Sequence, residues 1–167
     1  MPLRKLEVEG WRDAMLVATG EMQRRIGGEP RELSDIANPR RTIYGIIKRR
    51  ELADILRLHD FPDPISHVGS RVPTTTPLQQ LFVLNSSFLQ TRAAALSKQV
   101  QADSPNDITG QIQSAHWRLF GREASADEIQ LVTEFITSSQ SAGVAVEVAW
   151  RQFAQALLAG NELQFVE

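Results

Sequence analysis

No cysteine occurs anywhere in this sequence. That excludes disulfides, cysteine-ligated zinc, iron–sulfur clusters, cysteine nucleophiles and haem held by thioether bonds. Long apolar runs are missing as well, so no segment reads as a membrane-spanning helix and membrane insertion is not expected. The first twenty residues contain Glu7, Glu9 and Asp13, which do not fit a secretory signal peptide. No Gly-x-Ser-x-Gly elbow, phosphate-binding glycine loop, dinucleotide fingerprint or His-Glu-x-x-His is present. Charge of one sign is lacking too: 18 basic against 20 acidic residues give a formal net charge of −2. With 42% hydrophobic residues, the chain is too apolar and too nearly neutral to be disordered.

What remains describes one domain spanning residues 1–167, long enough to bury about two-thirds of its unfolded surface. Its charge is unevenly divided. Residues 1–76 carry 13 basic and 11 acidic side chains, whereas residues 77–167 carry 5 and 9. Pro and Gly crowd the first half, which therefore reads as loop-rich and basic. The second half reads as helical and acidic.

Hydrophobic spacing predicts a first helix over 7–26, with Trp11, Met15, Ala18, Met22 and Ile26 on one face and Gly27-Gly28 as its stop. The β-branched and aromatic stretch 42–48 reads as a strand. Its internal partner is expected in 162–166 or in 68–72, unless it lies outside the chain. A short helix over 50–59 ends at Phe61-Pro62-Asp63-Pro64. Thr74-Thr75-Thr76-Pro77 opens a long helix to about 101. Ser104-Pro105 opens another, closed by Gly121. Ser125 and Glu128 form a capping-box pattern, and a last helix covers 144–159. The expected fold is mainly α, with about six helices in one bundle-like domain and a small two-stranded β element.

Candidates for chemistry are few. His59, Asp60, Asp63 and His67 lie within nine residues. Their spacing matches no metal motif, and the two prolines favour a turn in which Asp60 or Asp63 caps backbone amides; no metal or cofactor is assigned. His116 reads as a surface or half-buried packing residue. Arg40, Arg41, Lys48, Arg49 and Arg50 place five cations in eleven residues without an acid. Such forks suit phosphate, sulfate or carboxylate oxygens. The competing reading pairs them with Glu51, Asp54, Asp60 and Asp63. Nucleic acid is not expected, because the domain is slightly acidic and no aromatics interleave with the basic residues. Asn85 lies four residues after Leu81 and three before Phe88, which places it on an apolar helix face. A buried Asn needs partners, either a neighbouring loop holding Arg71 and Thr74–Thr76 or the floor of a cleft. The candidate ligand- or partner-binding residues are thus Arg41, Arg49, Asp60, Arg71 and Asn85, and no catalytic residue is assigned.

Several blocks carry a family resemblance: Arg12-Asp13-Ala14-Met15, Arg40-Arg41-Thr42-Ile43-Tyr44, Leu58-His59-Asp60-Phe61-Pro62-Asp63, and Thr74-Thr75-Thr76-Pro77 through Phe88. Arg118-Leu119-Phe120-Gly121-Arg122 and Gln155 through Glu162 continue it. In this order they resemble the planctomycete C-terminal domain of unknown function (DUF1553), found in large proteins beside cytochrome-c-like modules. The resemblance implies an extracytoplasmic setting and partners among neighbouring domains of a parent protein. The chain departs from such proteins in having no Cys-x-x-Cys-His and no export signal, and Met1-Pro2 reads as starting inside the family's domain. Two functions follow as expectations. The first is a non-catalytic interaction module, with Trp11, Trp117 and Trp150 as candidate patch residues. The alternative is a binding or hydrolytic subunit for an acidic saccharide, with Arg41, Arg49 and Arg71 holding the anion and His59 and Asp60 as acid/base groups.

Overall fold

A computed structural model describes residues 3–166. Eight helices and four two-residue strands follow one another in it: β1 (Arg4–Lys5), α1 (Val8–Ala18), β2 (Arg31–Glu32), β3 (Gly45–Ile46), α2 (Asp54–Leu58), α3 (Pro77–Asn85), α4 (Ser87–Asp103), α5 (Ile108–Phe120), α6 (Ala126–Ser141), α7 (Val146–Ala159), α8 (Asn161–Gln164) and β4 (Phe165–Val166). The fold is mainly α and compact, as the apolar periodicity implies.

The second half folds as its caps dictate. Helix α5 opens three residues later than Ser104-Pro105, which form a turn before it: the Asp107 carboxylate accepts from Gly110 N–H at its start, and Gly121 closes it in the left-handed conformation. Ser125 and Glu128 form a complete capping box at α6. The long α4 lies along α7. Ala93, Ala149 and Ala154 let the two helices approach closely, and Leu89, Leu96, Val100, Trp150 and Phe153 fill the buried core around them.

The first half departs from expectation in several places. Helix α1 ends at Ala18, not at 26. Thr19 donates its hydroxyl to the Met15 carbonyl, and Gly20 takes the left-handed conformation at φ 71° that turns the chain away. Gln23 then bridges to Arg40, and Ile26 is left exposed. The expected strand 42–48 shrinks to two residues. Asp13 accepts hydrogen bonds from Thr42 N–H (2.8 Å) and Thr42 Oγ1 (2.7 Å), which holds Thr42–Tyr44 in a 3-10 turn. What remains, β3, pairs in parallel with β2, within the half expected to be loop-rich. The tail does form a strand, but β4 pairs antiparallel with β1, with Arg4 opposite Val166. There are thus two small sheets in place of one.

The helix expected from 77 to 101 is broken at Ser86, whose extended backbone (φ −64°, ψ 126°) separates α3 from α4. The Thr76–Gln79 capping box starts α3 with Pro77 at its first position. Gln79 and Val83 face inward, so the opposite face, with Leu78, Leu81 and Asn85, faces out. Asn85 does share a face with Leu81, but that face is exposed, and the Asn85 amide donates to the Leu81 carbonyl at 2.9 Å. The break rotates α4 independently, burying Phe88, Leu89 and Arg92. His116 is another correction. It is buried, its Nδ1 hydrogen-bonded to the Ile112 carbonyl and its ring against Phe120. Trp11 and Trp150 are buried, and Trp117 is exposed.

Candidate functional site

The residues from Leu58 to Gln79 close over the start of the chain. Asp60 follows α2 in the left-handed conformation, φ 61°, which costs a non-glycine residue on the order of 1–2 kcal/mol. Its carboxylate compensates by collecting donors. Thr74 N–H (3.0 Å), Thr74 Oγ1, Lys5 Nζ (3.2 Å) and Gln79 Nε2 (3.3 Å) all converge on it. The Lys5 ammonium also donates to the Thr74 carbonyl and to Gln79 Oε1 (3.1 Å), which uses all three of its hydrogens. Burial pushes the Asp60 carboxyl up. The Thr74 hydrogen bonds and the Lys5 ammonium outweigh that and hold it below the usual carboxylate range. The capping box of α3 is thereby wired to the first strand.

Beside this knot, Arg71 grips Glu9 in a fork, with Nη1 and Nη2 at 2.7 and 2.8 Å from its two oxygens. Glu7 lies 3.3 Å from Nη1, and the guanidinium covers the Phe61 ring at 5.1 Å. The hydrogen bond from Arg71 to Glu9 raises the affinity of the guanidinium for its proton. For the Glu9 carboxyl, burial acts upward, but the Arg71 hydrogen bonds and charge prevail and lower it. Between the two clusters opens a cleft of about 470 Å³, walled by Arg4, Lys5, Glu7, His59, Asp60 and Arg71. Its size falls within the range of small-molecule pockets.

Of the sequence candidates, Asp60 and Arg71 meet in this cleft, and both are already engaged. Asp63 accepts from Ile65 N–H and Ser66 Oγ, as a turn-capping residue does. Arg41 is exposed on another face, its Nε 3.4 Å from Asp13. Arg49 is exposed in the loop after β3 and makes no ion pair among the described residues. Asn85 sits at the outer end of α3. The basic run does not pair as expected, because its acidic partners come from elsewhere: Asp13 takes Arg41 and Glu32 takes Lys48, whereas Asp54 is held by Arg57 and Asp60 by Lys5. No cluster of three His, Cys, Asp or Glu side chains with metal-ligand geometry occurs among the described residues.

Two arginines are buried: Arg92, which helical spacing places on the apolar line of its helix, and Arg12, whose burial sequence reasoning missed. Arg12 is fully buried and donates to the carbonyls of Asn38 (2.8 Å) and Arg40 (2.9 Å) and to Thr42 Oγ1 (3.2 Å). Arg92 donates to the Ile36 carbonyl at 3.1 Å and lies 3.1 Å from Glu21. The two guanidinium groups flank the Phe88 ring at 5.3 and 5.0 Å. Burial lowers the Arg12 guanidinium to about 10, with Asp13 opposing that shift and Arg92 adding to it. These side chains replace regular strand pairing in holding loop 33–44 to the bundle. The signal for Arg12 was present: it stands three before Met15, on the inward side of α1. Lys5, Glu9 and Gln79 carried no comparable signal.

These features define a helical domain in which Asp60, Arg71 and Arg12 are engaged as fasteners, the first two of them around a charge-paired cleft. The chain belongs to the family described as "Protein of unknown function (DUF1553)", whose model matches residues 1–136. No curated protein and no solved structure matches it. No helix of the described residues is long and apolar enough to cross a membrane.

Proposed function

We propose that the chain is a non-catalytic interaction module of an exported multidomain protein, acting on neighbouring domains of its parent. The observation that carries this reading is the outward face of α3. Leu78, Leu81 and Leu84 are 63%, 55% and 54% exposed, with Asn85 beside them as a polar contact. A nine-residue helix that turns three leucines outward offers apolar area that a partner would bury. The candidate acid/base groups support a non-catalytic role. Asp60 is engaged by four donors, and His59 is stacked against Trp11 with ring centroids 4.8 Å apart.

The test replaces Leu78, Leu81 and Leu84 together by serine. Association is measured by sedimentation velocity, with the chain alone and with separately produced segments of the parent. The expected result is an association that the triple variant weakens at least tenfold while its helical circular dichroism is kept. Equal association by both proteins refutes the reading.

The acidic-saccharide alternative is favoured by one observation, that Arg49 is exposed and unpaired among the described residues. It is disfavoured at Arg71, which Glu9 already occupies. Unchanged retention of Arg49→Ala on a sulfated-polysaccharide column would end it.

A further inference from the structure

Beneath the cleft lies a second, much smaller cavity of about 10 Å³, bounded by Lys5, Leu6, Val8, Trp11, His59 and Gln164. Three of the residues that line it each carry a buried polar atom with no hydrogen-bond partner in the protein: Trp11 Nε1, His59 Nε2 and Gln164 Nε2. Their residues are only 2%, 6% and 7% exposed, and they come from α1, the end of α2 and α8. Leaving a buried donor or acceptor unmatched costs about 1–3 kcal/mol each, so three such atoms on residues that line one cavity call for a partner atom within it. Lys5 does not supply it, since its three hydrogens are all committed elsewhere.

The chemistry of that atom follows from the donors. His59 Nδ1 lies 3.0 Å from the Ile55 carbonyl, which can only accept, so Nδ1 carries the proton. Burial disfavours the imidazolium, leaving Nε2 as a bare lone pair. The cavity therefore presents two donors, Trp11 Nε1–H and Gln164 Nε2–H, and one acceptor, His59 Nε2. A cation would face two N–H groups, and an anion would face the imidazole lone pair. A neutral hydroxyl oxygen accepts twice and donates once, which satisfies all three. We propose that Trp11, His59 and Gln164 form a binding site for one neutral hydroxyl oxygen, belonging to a water or to a small polyol reaching down from the adjoining cleft.

The cleft shares Lys5, Leu6 and His59 with the small cavity, and the two cations nearest that cavity's polar knot are matched internally, Arg71 by Glu9 and Glu7 and Lys5 by Asp60, while Arg4 at the rim makes no ion pair among the described residues. The small cavity has room for about one oxygen-sized atom.

The experiment is nitrogen-15 NMR of the whole chain at pH 7.5, following the Trp11 indole N–H and the His59 ring nitrogens. Glycerol and glucose are the polyol probes, and sodium phosphate is the anion control. The expected baseline is His59 in the Nδ1–H tautomer with a nuclear Overhauser contact from the Trp11 indole proton to a long-lived water. If glycerol or glucose removes that contact and shifts both signals saturably, the oxygen comes from a polyol. Gln164→Met should then weaken the polyol about fivefold, as expected for one lost hydrogen bond. If the water contact persists at saturating polyol, the site is confirmed and its occupant is water. The absence of any water contact or polyol shift in the unaltered chain overturns the proposal, as does a response to phosphate alone. Neither result depends on the variant folding.

Discussion

Replacing Arg12 by methionine isolates what the buried guanidinium does for the fold. Methionine keeps much of the apolar stem and deletes the charged fork. Three acceptors then lose their donor: the carbonyls of Asn38 and Arg40, and Thr42 Oγ1. Asn38, Arg40 and Thr42 are themselves buried, so water cannot easily replace the guanidinium. At about 1–3 kcal/mol per unsatisfied buried group, the two carbonyls alone cost about 4 kcal/mol. Against that, removing a buried charge relieves its desolvation, the same effect that lowers the guanidinium to about 10. The net loss should be about 2–3 kcal/mol. With a urea m-value of about 2 kcal/mol/M, the unfolding midpoint falls by about 1–1.5 M. Hydrogen exchange adds a local readout. The amides of Asn38, Arg40 and Thr42, each bonded within this loop or to Asp13, should lose protection before those of α4 and α7. Arg12→Lys should recover less than half of the loss, because one ammonium cannot reproduce the planar fork. A midpoint shift below 0.3 M with the loop's protection intact (about 0.6 kcal/mol on the same slope) would refute the argument.

Acid sensitivity follows from carboxyls whose folded pKa values are depressed. Asp60 and Glu9 contribute stability that is full above the ordinary carboxylate range and is lost as pH falls through their lowered folded values. Asp103, held by Arg118 and pulled down to about 2, extends that loss to the acid end. Asp60→Asn should flatten the urea midpoint's dependence on pH below about 5 and reduce it at neutral pH, when compared across a pH series. Gly45→Ala tests packing at β3: an added Cβ would stand 2.5 Å from Leu33 Cγ, though the backbone there (φ −74°, ψ 142°) suits any residue. A loss of about 1–3 kcal/mol is expected, with a large part of it restored in the Gly45→Ala, Leu33→Ala double variant; additive losses in a double-mutant cycle would refute a purely steric cause.

Local chemistry made the helix punctuation legible. The boxes at Thr76–Gln79 and Ser125–Glu128 and the stops at Gly121 and Gly160 each involve residues within one turn of one another. Their hydrogen bonds form whatever the rest of the chain does. Asp63 in its proline-bounded turn belongs with them. Less was legible of the candidate site. The sequence offers Asp60 and Arg71 as candidate binding residues without showing that they meet, and the Lys5 and Glu9 that neutralise them lie 55 and 62 residues earlier.

Sequence alone therefore determined the mainly α class, the loop-rich first half, the capping boxes that open α3 and α6 and the glycine that closes α5. Tertiary structure decided which side of each element faces inward and which charges meet. Helical periodicity placed Asn85 and Leu81 on one face, but only the packing of Gln79 and Val83 turned that face outward. Likewise, β-propensity marked 42–48 as extended, and Asp13, some thirty residues away, bent its first half into a 3-10 turn. The physical reason is the same in both cases: a period or a propensity describes a segment relative to itself, whereas burial and charge pairing depend on partners brought from a distance.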